Sequence, residues 1–169
     1  MLNIVSVICL TAALPILGAL VVIDLRTRLL PNILVLGLAM AGFAFHVSAL
    51  FYYDPVRDLL AGALIGGGML YAIRLAGNFF YKTDTLGLGD VKLMAAGGLW
   101  LGPYYTLIAL IAGAVAGLVH GGALIGYKRL KTREAATLST FSLPAGPGFA
   151  AGLLIAALAK FWALPHLAF

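Results

Sequence analysis

The chain contains two long stretches without a charged side chain, and they constrain its fold more than any other feature. Residues 1–23 carry no charge, and residues 93–127 carry none over 35 positions. A membrane-spanning helix needs about 20 consecutive apolar residues. Hydrophobic residues make up 63% of the chain and charged residues only 10%, whereas a soluble domain carries roughly 25% charged residues. The sequence therefore predicts a helical membrane protein and excludes a soluble globular enzyme and a disordered chain.

Charges, prolines and glycines divide this apolar sequence into six predicted transmembrane helices. Proline lacks an N–H and disfavours helix in the residue before it, so Pro31 and Gly102-Pro103 mark breaks. The first span is too long for the core of a signal peptide and no basic segment precedes it, so we expect it to be retained. The predicted spans are approximately Met1–Ile23, Ile33–Tyr53, Leu59–Ala76, Val91–Leu101, Tyr104–Tyr127 and Gly148–Leu164. They predict an all-α bundle in which residues 1–169 form a single membrane domain.

The basic residues are distributed in a way that predicts the orientation of these spans. With six spans, nine of the 11 Lys and Arg residues lie on one side, and only Arg57 and Lys160 lie on the other. If the short fourth helix does not cross, the split becomes six against five. Because Lys and Arg concentrate in cytoplasmic loops, the charges favour six spans with both termini outside the cytoplasm. The net charge of +5 then reflects topology, and we expect no nucleic-acid partner.

Two aspartates are brought to the same membrane face by this topology. Asp24 ends the first span and Asp90 begins the fourth, both at the predicted cytoplasmic side. Two aspartates in one site cannot both ionise cheaply, so such a pair holds one proton. The ionised carboxylate can then take a proton from water while the protonated one donates to a peptide carbonyl. Gly87 and Gly89 precede Asp90 with backbone that an extended substrate could approach closely.

Each of these features also has a simpler interpretation, and two other functions remain open. An Asp at a helix end is often a cap or a solvated loop residue, and Gly-Leu-Gly is often a flexible turn. One alternative is a proton-coupled transporter that uses Asp24 or Asp90 as its proton site. It predicts a charge deep in the bilayer and an internal repeat, and the sequence shows neither. The other is a non-catalytic assembly subunit of a pilus or secretion machine, which the sequence does not exclude.

Three short motifs add a family resemblance to this interpretation. Residues 87–93, GLGDVKL, resemble the GxGD signature of intramembrane aspartyl proteases. Asp24 and the following RLLPN at residues 28–32 resemble the first-aspartate segment of type IV prepilin peptidases. PAGP at residues 144–147 resembles the P-x-G-P-type segment of the same family. The motifs occur in the family's order, and the span pattern fits over the whole chain.

The resemblance implies an activity and assigns roles to residues. It implies an aspartyl endopeptidase of a prokaryotic inner (cytoplasmic) membrane that removes the short basic leader from pilin-like precursors at the cytoplasmic face. Asp24 and Asp90 are the implied catalytic pair, and Gly87 and Gly89 are expected to shape the site. The expected partners are precursor proteins and membrane lipids, and the sequence gives no oligomeric state.

The single cysteine, Cys9, bears on cofactors and on a second activity. It lies in the first span, so neither an intrachain disulfide nor a CxxC zinc site is possible, and we expect no metal or organic cofactor. Long members of the family carry a cysteine-rich segment near the N-terminus that is linked to methylation of the new terminus. Here Asp24 follows the first span directly. The chain therefore resembles the short peptidase-only members, and we expect no methyltransferase activity.

Several further residues are interpreted as structural. Arg74 near the end of the third span is expected to snorkel to the interface, and Lys92 to act as an interfacial anchor. Gly62 and Gly66 lie four residues apart and predict a face for close helix packing.

Overall fold

The structure is a computed structural model that describes residues 3–84, 86–132 and 146–162. These residues form five helices: α1 (Ile4–Thr27), α2 (Asn32–Ser48), α3 (Val56–Tyr81), α4 (Leu88–Thr132) and α5 (Gly146–Phe161). Three stretches are long and apolar enough to cross a membrane, namely α1, α3 and the part of α4 up to Ala123. The predicted all-α membrane protein is confirmed, whereas the number of spans and the side on which the termini lie stay predictions.

The outward faces of the helices are apolar, as a bundle surrounded by lipid requires. Ile4, Leu64 and Leu118 are 80%, 74% and 76% exposed and lie on three different helices. Exposing such side chains to water costs about 25 cal/mol per Å² of apolar surface, a cost that hydrocarbon solvent removes. The buried core is smaller and lies where the helices meet, around Leu20, Phe45 and other large side chains.

Polar contacts join the start of α1 to the end of α2. The Asn3 side chain caps α1 by accepting from the Ser6 N–H at 2.9 Å, and its Nδ2 donates to the Ser48 carbonyl at 2.7 Å. The Ser6 and Ser48 hydroxyls lie 2.7 Å apart. The two helices are therefore antiparallel neighbours. Asp24 lies at the opposite end of α1, next to the turn that leads into α2.

Small residues let α3 and the first part of α4 pack with their backbones in contact. A Cβ atom at Gly62 would clash with the carbonyl oxygen of Gly98, and one at Gly66 would clash with that of Met94. The predicted packing face of α3 is thereby confirmed. It fixes the position of residues 88–101, the helical stretch that carries Asp90.

The predicted break in the long uncharged stretch is confirmed at Gly102. Its φ of 68° and ψ of −179° lie outside the helical region and favour glycine, and Pro103 follows it. The carbonyls of Trp100 and Leu101 lie at the end of the helical stretch before the break. Lys160 Nζ of α5 donates to both, at 3.1 Å each. A cation thus satisfies the end of the helical stretch, as the helix dipole favours.

Lys160 belongs to a buried polar cluster at the end of the bundle remote from Asp24. It forms an ion pair with Asp54, which precedes α3. His46 Nε2 lies 3.2 Å from the Trp100 carbonyl and 3.9 Å from the Asp54 carboxylate. Phe45 stacks on Trp100 at a ring-centroid distance of 5.6 Å. The cluster ties α2, α4 and α5 together and places Asp54 and Lys160 at the same end of the bundle.

Several helix boundaries differ from the predicted ones. α2 ends at Ser48 and not near Tyr53, because Leu50 and Phe51 have positive φ values of 50° and 53°. α3 continues past Ala76 to Tyr81, and α4 begins at Leu88 and not at Val91. The backbone remains helical through Thr132, where the sequence predicts a loop from residue 128. Pro144 and the predicted end of the last span at Leu164 lie outside the described residues.

Candidate active site

The structure brings the two predicted aspartates together. Asp24 lies in the last turn of α1 and is 5% exposed, and Asp90 lies in the first turn of α4 and is 6% exposed. The two carboxylates are close enough for the charge of Asp24 to act on Asp90. Both acids therefore share one nearly buried site formed by two helix ends.

Asp90 is oriented by the way α4 begins. Gly87 is the cap residue, and its carbonyl accepts from the Asp90 N–H at 3.2 Å. In return, the Gly87 N–H donates to the Asp90 carboxylate. A carboxylate three residues inside a helix that reaches back to the cap N–H forms half of a capping box. The same position places its negative charge at the positive end of the helix dipole.

Asp24 receives its backbone donor from a different helix. It lies at the carboxyl end of α1, where the helix dipole disfavours negative charge. The Gly146 N–H, at the start of α5, donates to its carboxylate. A Cβ atom at Gly146 would clash with that carboxylate, so a side chain there is excluded. Sequence reasoning gave Gly146 no role in the site, although the PAGP motif was the signal that could have found it.

One oxygen of each carboxylate has no hydrogen-bond partner among the described residues. These atoms are Asp24 Oδ2 and Asp90 Oδ1, and both are buried. Nor does any cation in the described part of the chain form an ion pair with either acid. Buried polar atoms are nearly always satisfied, so unsatisfied ones call for a ligand or a proton. Two uncompensated carboxylates in one buried site favour a state with one shared proton.

The two predicted site-shaping glycines have different surroundings. Leu30, in the turn between α1 and α2, occupies the space beside Gly89, where a Cβ atom would lie 2.8 Å from the Leu30 Cβ. Gly89 thus allows the segment after Asp24 to approach the start of α4. Gly87 is exposed, and a Cβ atom there would lie 3.1 Å from Asp90 Oδ2. Of the two, Gly87 is exposed and Gly89 is partly buried.

Lys92 makes a specific contact where the sequence predicts an interfacial anchor. Its Nζ donates to Asn32 Oδ1 at 3.0 Å. Asn32 is the first residue of α2, so this hydrogen bond joins the segment after Asp24 to the segment after Asp90. The two motif segments are therefore held together on the same side of the bundle by polar as well as apolar contacts.

Two buried acids that meet at helix ends of an apolar bundle define a membrane protein with a paired-carboxylate site. Comparison with known families identifies the family to which this chain belongs. Residues 11–122 match the family model described as the Type IV leader peptidase family, and this range includes both Asp24 and Asp90. Because the match covers about two thirds of the chain, the chain belongs to the Type IV leader peptidase family.

Curated relatives carry the same kind of name. A prepilin leader peptidase/N-methyltransferase of Pectobacterium carotovorum subsp. carotovorum is 37% identical over 107 residues, which are 61% of this chain and 38% of that protein. One of Burkholderia pseudomallei (strain K96243) is 35% identical over 134 residues, 77% of this chain and 39% of that protein. One of Escherichia coli (strain K12) is 34% identical over 141 residues, 79% and 55% respectively. The chain thus spans between about two fifths and about half of the length of these relatives. No solved structure matches it significantly.

Proposed function

We propose that this protein is a membrane-embedded aspartyl endopeptidase that removes the short basic leader from type IV pilin-like precursors. Asp24 and Asp90 are the proposed catalytic pair. The observation that carries the proposal is the pair of buried carboxylates, each with one oxygen held by a glycine N–H and one oxygen unpartnered. Membership of the Type IV leader peptidase family supplies the reaction class.

The chemistry follows from one proton shared by two carboxylates. The ionised aspartate takes a proton from a water molecule, whose oxygen attacks the carbonyl carbon of the scissile peptide. The protonated aspartate donates to the carbonyl oxygen, so a neutral tetrahedral diol forms. When the C–N bond breaks, the aspartate that took the proton from water gives it to the leaving nitrogen. The other aspartate takes a proton from a diol hydroxyl, so the diol becomes a carboxylic acid and the pair again holds one proton. The glycine N–H groups hold each carboxylate in place, and the two unpartnered oxygens are free to accept from water or substrate once the site opens.

The site is proposed to face the cytoplasm. Arg74, Lys82 and Lys92 lie on the chain around Asp90, and Arg26 and Arg28 follow Asp24. The remote end of the bundle has Lys160, which is buried in an ion pair, and the exposed Arg57. This asymmetry agrees with the positive-inside rule and with six spans, the break at Gly102 separating the short fourth from the fifth.

The substrate has to reach carboxylates that are almost fully covered. Exposures of 5% and 6% leave no room for a peptide beside Asp24 and Asp90, so the site opens before cleavage. A pilin-like precursor carries a basic leader followed by a long apolar helix. We propose that the helix lies in lipid against the bundle and unwinds locally at the cleavage point, because a helix hides its peptide bonds.

Co-expression with a pilin-type precursor tests this function. Membranes from cells with the wild type, Asp24→Asn, Asp90→Asn or Asp58→Asn are compared by the mass of the precursor. Asp58 lies at the start of α3 and pairs with the exposed Arg57, so its variant controls for loss of a carboxylate in general. We expect removal of the leader with the wild type and the Asp58 variant only.

The same spectra separate the remaining alternatives. A product lighter by the mass of the leader alone supports a peptidase without methyltransferase activity. An additional mass of about 14 Da on the new terminus, that of one CH₂ group, would show methylation. An intact precursor with a folded, membrane-inserted wild type would favour the assembly-subunit function. Cleavage that persists in either Asp24→Asn or Asp90→Asn would contradict the two-aspartate mechanism.

A further inference from the structure

The loop before Asp90 is held by a side chain that the sequence assigned to the membrane interface. Arg74 of α3 donates through Nη1 to the Leu86 carbonyl and through Nη2 to Asp84 Oδ1 at 2.6 Å. Asn78, one turn further along α3, also donates to Asp84 Oδ1, at 3.0 Å. The Arg74 side chain is only 14% exposed. The guanidinium is directed at this loop, so Arg74 has specific binding partners beyond the expected snorkelling.

The Leu86 carbonyl belongs to the same peptide unit as the Gly87 N–H. In a trans peptide these two groups point in opposite directions, and the unit is planar and rigid. Arg74 therefore holds one end of the unit, while the Asp90 carboxylate accepts from its other end. The guanidinium fixes the direction in which the Gly87 N–H points. Hydrogen bonds in such a series polarise one another, which strengthens the bond to the carboxylate.

We propose that Arg74 is a positioning residue for Asp90, acting through the peptide unit between Leu86 and Gly87, with Asp84 holding the guanidinium in place. The proposal rests on the proposed peptidase function. Arg74 touches neither carboxylate of the pair and takes no proton in the reaction. Its effect is on the orientation of the Asp90 carboxylate relative to Asp24.

The chemistry of arginine explains why this position differs from a simple cation site. The planar guanidinium reaches the carbonyl and the carboxylate at once with two separate nitrogens. A lysine supplies one compact charge, which can satisfy the Leu86 carbonyl or Asp84 but orients the peptide less firmly. Glutamine at the same position is polar, but it is uncharged and its side chain is shorter than that of arginine.

Kinetics with a purified precursor test the proposal on Arg74→Gln, Arg74→Lys and Asp84→Ala. Displacing a catalytic group slightly can cost about 10²-fold in rate, so we expect kcat to fall about 10- to 100-fold in Arg74→Gln. KM should change by less than about threefold, because the substrate is not contacted. Arg74→Lys should recover about tenfold of the loss. Asp84→Ala should lower kcat about three- to tenfold, and since Asp84 is 78% exposed, this variant should fold normally.

Arg57→Gln is the matched control, because Arg57 is 87% exposed and pairs with its neighbour Asp58 at the remote end of the bundle. It should keep the wild-type kcat and KM. A rise in KM with unchanged kcat in Arg74→Gln would overturn the positioning role and indicate a substrate contact. Wild-type kcat in Asp84→Ala would also overturn it, even if Arg74→Gln fails to fold. If the wild type itself does not cleave the precursor, the result contradicts the proposed peptidase function, on which the positioning role rests.

Discussion

The Gly146 N–H donates to the Asp24 carboxylate, so the start of α5 completes a site whose two acids come from α1 and α4. The family match ends at residue 122, well before Gly146. The contact therefore joins Asp24, which lies inside the matched segment, to a residue outside it. It shows that each acid of the pair depends on a glycine N–H, Asp24 on Gly146 and Asp90 on Gly87.

Replacing Gly146 with alanine should slow the proposed cleavage without unfolding the protein. The new Cβ would clash with the Asp24 carboxylate and push it from its donor. We expect cleavage to slow by about 10- to 100-fold, as for other small displacements of a catalytic group. Initial rates with a purified precursor measure this. Gly68→Ala in α3 is the control, because nothing lies within 4 Å of a Cβ there, and it should cleave at the wild-type rate.

Replacing Gly89 with alanine should separate the two halves of the site, and a second substitution should restore them. A Cβ at Gly89 would lie 2.8 Å from the Leu30 Cβ, which is shorter than van der Waals contact. We expect a reduced cleavage rate in Gly89→Ala and a partial recovery in Gly89→Ala combined with Leu30→Gly, which removes the Leu30 Cβ. Contacting residues couple in this way by about 0.5–3 kcal/mol. Additive losses in the double variant would show that Gly89 acts by some means other than the contact with Leu30.

Lys160→Met should destabilise the bundle at the end remote from the acids. It leaves Asp54, whose side chain is 17% exposed, without its cation and removes the donor from the Trp100 and Leu101 carbonyls. Breaking one side of a fully buried pair costs about 3–5 kcal/mol, so we expect a smaller loss for this partly exposed pair. Thermal unfolding in detergent should show this loss. The double variant Lys160→Met, Asp54→Asn should be more stable than the single variant, and equal melting temperatures would contradict the role of the ion pair.

The pH dependence of cleavage should be bell-shaped. At low pH both carboxylates of the pair are protonated, so no base remains to take a proton from water. At high pH both are ionised, so no acid remains to donate to the peptide carbonyl. The two limbs report apparent pKa values of the pair and not of one residue. Measuring kcat/KM between the limits of protein stability tests this, and a rate that keeps a plateau on one side would argue against a shared proton.

The local features of this fold were predictable, and the contacts between distant residues were not. Gly102 and Pro103 predict the helix break, because Gly102 permits a positive φ and Pro103 lacks an N–H. The six-span topology predicted that Asp24 and Asp90 lie at one membrane face, and the motif resemblance assigned both to one site. Arg74 and Gly146 could not be assigned, because their partners are fixed by how α3 and α5 pack and not by local spacing. Lys160 likewise could not be assigned, because Asp54 and the carbonyls of Trp100 and Leu101 are 59 to 106 residues away along the chain.

The boundaries of α2 and α4 also depend on contacts that the apolar pattern of the sequence does not predict. Leu50 and Phe51 are residue types that rarely adopt a positive φ, yet both do so here, and α2 ends before them. Gly87 caps α4 and brings its start forward to Leu88, because the Asp90 carboxylate accepts from the Gly87 N–H. Apolar patterning reports where a chain can be helical, while capping contacts decide where the helix begins.

Cleavage by the purified protein tests the central claim most directly. Wild type, Asp24→Asn and Asp90→Asn are reconstituted separately into liposomes with a pilin-type precursor and a metal chelator, and no other protein is present. We expect the wild type to release the leader and each variant, though folded and inserted, to release none. Leader release by either variant at a rate near that of the wild type would contradict the paired action of Asp24 and Asp90.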